Sequence, residues 1–171
     1  MIYWVRSYPN GIKPMKTTIK LFLPIIITLS ITFTSTAQPA GTYISEDAQE
    51  ACVKYGEEYG ICPELLMAMI ERESSGRPDA ESGGCKGLMQ ISDRWHKDRM
   101  ERLEVTDIYD VDGNIHVGAD YLTELFEKYE DVGIVLMVYH GEKNAATKTE
   151  LSDYADWILT RSAELERMNG K

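Results

Sequence analysis

Excess positive charge is the first thing this sequence lacks: 18 Lys and Arg stand against 28 Asp and Glu, a net charge of −10. Nucleic acid is therefore not expected as a partner, because phosphate binding needs a basic surface. Metal-ligand spacing is missing too. There is no His-x-x-x-His, Cys-x-x-Cys or calcium-loop pattern, and His96, His116 and His140 are scattered, so neither a metal nor another cofactor is expected. Long apolar runs are scarce. LFLPIIITLSITF, residues 21–33, has 13 apolar and hydroxyl residues, whereas a comfortable membrane span needs about 20. Repeats, low-complexity tracts and useful strand-like alternation are also absent, which leaves a mainly α chain.

What is present begins with that apolar run. Lys16 and Lys20 precede it and Ser35-Thr36-Ala37 follows it, the pattern of a signal peptide with the mature protein starting near Gln38. The alternative is an uncleaved anchor, with residues 21–33 associating with a membrane. Residues 1–14 read as neither core nor signal, and Met15-Lys16 looks the more natural start. Removing residues 1–37 takes four bases and no acids, leaving 28 acids against 14 bases, a net charge of −14. The remaining length suits one domain, placed at residues 45–167, with enough chain for a substantial core.

Helix signals divide that domain. Ser45 before Glu46 and Asp47 is an N-cap with an acidic first turn, and Gly60 ends the helix after Tyr59. Pro63 and Glu64 open a central helix that runs to Glu73. A short, partly exposed helix carrying Trp95 is expected within residues 88–104, then a loop from Val105 to Asp112. Asn114, Gly118, Tyr121, Leu122, Leu125, Phe126 and Tyr129 recur at spacings of three and four and predict a long amphipathic helix, with Gly118 a close helix contact and Asp131 and Gly133 ending it. Ile134–Tyr139 should be a short buried helix. A last helix from about Glu150 to Arg167 should present Leu151, Tyr154, Ala155, Ile158 and Leu159 on one face. Any sheet is a small β-hairpin between residues 77 and 86.

The central helix carries the candidate chemistry. At 100° per residue from Leu65, Met69, Leu66 and Ile70 fall near 40°, 100° and 140°, so the apolar stripe centres at about 70°. Glu73 falls near 80°, inside the stripe, and Glu71 near 240°, on what should be the solvated face. A carboxyl on the apolar face is expensive to ionise, so its pKa should rise and suit a general acid. The plainer reading makes Glu73 a fraying helix end paired with Arg72 or Arg77. Cys52, Cys62 and Cys85 would all be exported, where disulfides form. Cys62 and Cys85 bracket the segment holding Glu73 and are the candidate pair, with buried free thiols the alternative.

Taken together, Glu73-Ser74, Pro78, Ala80, Ser82, Gly87-Leu88-Met89-Gln90, Asn114 with Gly118 and Tyr121-Leu122, and Tyr139 with Gly141 resemble the soluble lytic transglycosylase family over roughly residues 50–160. The resemblance implies a mainly α (α+β) lysozyme-like fold, peptidoglycan glycan strands as substrate, action outside the cytoplasm or at the cell wall, and a monomer. It implies Glu73 as the catalytic acid/base, with Ser74, Met89, Gln90, Asn114, Tyr139, His140 and Tyr154 as substrate-cleft residues. His140 stands where the family usually has Asn. Asp79, Glu81 and Asp93 read as surface acids. A single acid suffices if it protonates the leaving oxygen and then deprotonates the sugar's own 6-hydroxyl, closing a 1,6-anhydro ring. The competing readings are a goose-type hydrolytic lysozyme, with a second carboxylate positioning water, and a wall-binding module without chemistry.

Overall fold

The computed structural model describes residues 41–171; the signal or anchor read in residues 1–37 lies outside them. Among the described residues, six helices and one hairpin follow in the order α1 (Glu46–Tyr59), α2 (Pro63–Ser74), β1 (Glu81–Ser82), β2 (Cys85–Lys86), α3 (Lys97–Arg102), α4 (Val111–Lys128), α5 (Val132–Tyr139) and α6 (Asp153–Met168), with a 3-10 turn at Ala145–Thr147. No described helix is long and apolar enough to cross a membrane.

Ser45 caps α1 as read from the sequence, while Asp110, Asp131 and Ser152, read there as loop, helix-ending and helix-interior residues, prove to be the caps of α4, α5 and α6. Ser45 Oγ accepts from the Ala48 amide, Asp110 from Gly113, Asp131 from Ile134 and Ser152 from Ala155, each satisfying an orphan N–H in a first turn. At the other ends, Gly60 and Ser75 take left-handed conformations, with φ of 69° and 54°.

Helix α2 is the axis of the domain. Leu65 through Ile70 are wholly buried, because α1 and α6 both pack against it. That two-sided packing overturns the expectation for Glu71. It is 3% exposed and forms a two-pronged ion pair with Arg161 of α6, Nε to Oε2 at 2.7 Å and Nη2 to Oε1 at 3.1 Å, while Thr42 Oγ1 donates to Oε1 at 2.7 Å. A wheel with one wet face does not describe a helix enclosed on several sides.

Other expectations need smaller corrections. The helix after the hairpin begins only at Lys97, so Trp95 precedes it and is 78% exposed. Asp131 and Gly133 do not merely end α4, since Asp131 caps α5 and Gly133 lies inside it. Leu151 falls before α6 and is exposed. Gly118 does make a close contact, but with the Met89 side chain, which would come within 2.4 Å of an added Cβ.

The expected Cys62–Cys85 bond is not formed, and all three cysteines are free. Cys62 caps the start of α2, whereas Cys85 lies close enough to Glu73, at its far end, to feel its charge. Eleven residues of helix separate those ends by about 16 Å, far beyond the reach of a disulfide.

Candidate active site

Glu73 is the penultimate residue of α2, and the chain leaves the helix immediately after it through two left-handed residues, Ser75 and Gly76. This sharp exit leads into the hairpin, where Glu81 pairs with Lys86 and Ser82 with Cys85. Gly83 and Gly84, at φ of 60° and 83°, form its two-residue turn, a conformation that side chains with a Cβ resist. Lys86 then bonds Ile91 in both directions at 2.9 Å, closing Gly87-Leu88-Met89-Gln90 into a loop.

That loop is clamped from two helices. Asn114 of α4, fully buried, accepts from the Met89 amide at 2.8 Å and donates to the Lys86 and Ile108 carbonyls at 3.0 and 2.7 Å. Tyr139 of α5 donates to the Met89 carbonyl at 2.9 Å. Gly87 has no Cβ because the Asn114 amide would lie 2.2 Å from one.

The acid itself is half-buried. Tyr154 of α6 donates its hydroxyl hydrogen to Glu73 Oε1. Burial raises the Glu73 pKa above the ordinary carboxylate value, and the Tyr154 bond and the charges of His140 and Arg72 offset this only in part. The groups acting on Glu73 are thus the Tyr154 hydroxyl, the His140 ring and the Arg72 guanidinium; no described carboxylate is among them. Its charge is felt in turn by Tyr139, Tyr154 and Cys85, whose pKa values rise first through burial and then through Glu73. His140 stacks on the Tyr154 ring, centroids 3.9 Å apart and planes at 14°, so the residue in the unusual position buttresses the tyrosine that holds the acid.

Of the residues implicated by sequence, Glu73, Tyr139, His140 and Tyr154 converge. Three do not line an open cleft. Ser74 is buried and donates to the Ile70 carbonyl at 3.1 Å, Met89 is buried against Gly118, and Asn114 is spent on the loop. Each falls on a helix or loop face that other elements cover, so these residues support the site's backbone. Gln90 is intermediate: its Nε2 donates to the Ala80 and Gly87 carbonyls at 3.1 and 3.0 Å, leaving Oε1 available. Asp79 is exposed, Glu81 accepts from Tyr109, and Asp93 pairs with Lys86. Cys85, taken from the sequence as a disulfide partner, is instead a free thiol close enough to feel the charge of Glu73, and Arg72, the helix-end partner offered in the plainer reading, acts on Glu73 through its charge without a hydrogen bond to it. The Gly-Gly turn was the signal for the place of Cys85, since it folds the hairpin back toward the end of α2.

Comparison with known proteins agrees with this geometry. The chain is 40% identical over 90 residues to a transglycosylase of Enterobacteria phage PRD1, covering 52% of this chain and 32% of the phage protein. It is 34% identical over 80 residues to a membrane-bound lytic murein transglycosylase F of Desulfosudis oleivorans, covering 46% and 17% of the two chains. The chain therefore spans a third or less of these relatives. The crystal structure of an inactive mutant of the lytic transglycosylase Slt from Pseudomonas aeruginosa superposes with a TM-score of 0.62 at 18% identity, over 71% of this chain and 24% of that one. The shared fold is lysozyme-like. The family model of the transglycosylase SLT domain matches residues 50–158, a span that takes in the end of α2, the clamped loop and the turn of α6 bearing Tyr154, and the chain belongs to that family.

Proposed function

We propose that this chain is a peptidoglycan lytic transglycosylase that cleaves the β-1,4 bond between N-acetylmuramic acid and N-acetylglucosamine, with Glu73 acting first as acid and then as base. The observation that carries this reading is a half-buried carboxyl of raised pKa that the Tyr154 hydroxyl holds and on which no described carboxylate acts. Tyr154 fixes Oε1 and leaves Oε2 for the substrate. Protonated Glu73 gives its proton to the glycosidic oxygen as the C1–O bond breaks, with positive charge developing at C1 as in other glycosidases. The resulting carboxylate then takes the proton of the 6-hydroxyl on the same sugar, whose oxygen closes on C1. The products are a free 4-hydroxyl and a 1,6-anhydro end, water is not consumed, and the acid is restored.

Digesting purified peptidoglycan and weighing the fragments tests this. Anhydro ends are lighter by one water than reducing ends. Products carrying only reducing ends would turn the assignment to a hydrolytic muramidase, and intact strands would turn it to a wall-binding module. The same reading puts the enzyme outside the cytoplasmic membrane, acting as a monomer, with residues 21–33 serving as export signal or anchor. N-terminal sequencing of the exported protein separates the two, since an intact residue 21–33 segment on membrane-bound protein excludes cleavage.

A further inference from the structure

Arg72 precedes Glu73 on α2 and is exposed. Its guanidinium carbon lies 5.6 Å from the centroid of the Trp157 ring. Trp157 follows Tyr154 by three residues on α6, which makes the two side chains neighbours along one helical face. Because Tyr154 holds Glu73, the arginine is fixed against the same wall as the acid, and its charge reaches both Glu73 and Tyr154.

The arginine is otherwise unused. Arg99, Arg102 and Arg161 are each ion-paired to carboxylates, and Arg77 donates to the Ser74 carbonyl. Arg72 makes no hydrogen bond or ion pair with a described residue, and residues 1–40 contain no acid to supply one. Arg94 and Arg167 also lack an ion pair with a described residue, so what sets Arg72 apart is its place beside Glu73 and against Trp157. Packing on an aromatic face restrains the group while leaving its N–H donors free. Trp157 is itself 36% exposed. An oriented guanidinium with free donors matches a carboxylate in its plane, and the adjoining indole offers an apolar surface to whatever bears that carboxylate.

We propose that Arg72 and Trp157 form a recognition shelf for a carboxylate-bearing substituent of the glycan, carried on the lactyl arm of the muramic acid residue. This rests on the function proposed above and adds the feature by which strands are selected. The carboxylate has two sources, the lactyl acid of a bare strand or the peptide attached to it, and both offer the same group to the guanidinium.

The test uses the full chain and three substrates: peptide-bearing strands, strands stripped of peptide by an amidase so that the lactyl acids are free, and stripped strands whose lactyl acids have been converted to amides. Arg72→Gln should raise KM by about tenfold on at least one carboxylate-bearing substrate, the loss typical of a charge-assisted hydrogen bond, and leave it unchanged on the amidated strands. The larger effect identifies the source. Arg72→Lys, which keeps the charge without the fork, should restore part of the loss and preserve the wild-type pH profile. Arg94→Gln is the control, because Arg94 makes the same kind of contact with Trp95 at 5.6 Å but is not among the groups acting on Glu73. An equal KM rise on all three substrates, or a shifted pH profile with KM unchanged, overturns the shelf. A wild-type protein that cleaves none of the substrates refutes the proposed reaction instead, before any variant is compared.

Discussion

Two carboxylates on the last turns of α2, Glu71 and Glu73, meet the same helix α6 and are treated in opposite ways. Glu71 is enclosed with a guanidinium and a threonine hydroxyl, so a buried charge has its counter-charge. Glu73 meets a tyrosine hydroxyl, with cations acting only at longer range. The ion pair gives Glu71 a structural role, with Arg161 and Thr42 tying the segment at Gly41 and Thr42 to the middle of α6. The neutral donor leaves Glu73 able to hold or lose its proton. Burial alone does not make an acid catalytic; the kind of partner decides what burial does to it.

The strongest way to break this contrast is Glu73→Gln. On the proposed mechanism the variant should lose at least about 10³-fold in turnover, since it can neither give nor accept the required proton, while still binding wall material. It should also be more stable than the parent. The folded pKa of Glu73 is raised, so its unfavourable effect is absent below the ordinary Glu range and sets in as pH rises through the raised value; above that window the amide gains on the order of 1 kcal/mol. For the same reason wild-type turnover should fall as pH rises through the raised pKa. A stable, fully active variant would end both arguments.

Glu71→Gln should do the reverse. Leaving Arg161 with only its pair to the half-exposed Glu164 should cost roughly 2–3 kcal/mol, below the full value for a deeply buried pair because the arginine is partly exposed and keeps that second carboxylate. Denaturant melts read this loss. Turnover should survive wherever the variant remains folded, and a stable but inactive variant would place the chemistry on the wrong glutamate.

Tyr154→Phe sharpens the contrast by removing the hydroxyl that, among the described residues, bonds Glu73 directly. The lost orientation should reduce turnover by about tenfold, equivalent to ~1.4 kcal/mol. The alkaline limb of the pH profile should move to higher pH, because the tyrosine bond lowers the Glu73 pKa. A shift to lower pH would contradict the assigned direction.

Glu64, at the opposite end of α2, gives the smallest effect. Burial disfavours its charge, but bonds from Lys171, Asn169 and Cys62 outweigh that and lower its pKa. Its contribution is therefore present above the unfolded value of about 4.3 and lost as pH falls through the depressed one. Glu64→Gln should cost about 1 kcal/mol at neutral pH, since the Lys171 partner is half exposed, and the difference from wild type should vanish in acid. The pH dependence is opposite in sign to that at Glu73.

Much of the fold could be read locally because its signals are local. Ser45, Pro63, Gly60 and the Gly-Gly turn act through the backbone within a few residues, and they place α1, α2 and the hairpin with little error. Trp95 and Leu151 were assigned to helices from spacing alone, and both lie just outside one, where periodicity gives no boundary and the cap residue does. Ser74, Met89 and Asn114 were implied as cleft residues by their place in the motif. A motif position carries no statement of which way its side chain faces.

The sequence by itself determined the helical class, the Ser45 cap, the hairpin, and the place of Glu73, the candidate acid, on an apolar face, because helix periodicity and turn chemistry depend only on near neighbours in the chain. Tertiary structure alone decided what those residues meet. Arg161 reaches Glu71 across 90 positions and Tyr154 reaches Glu73 across 81, separations over which no sequence period carries information. Whether an acid is paired with a charge or with a neutral hydroxyl is set by the packing of α6 on α2, and that choice fixes its protonation through local solvation and field.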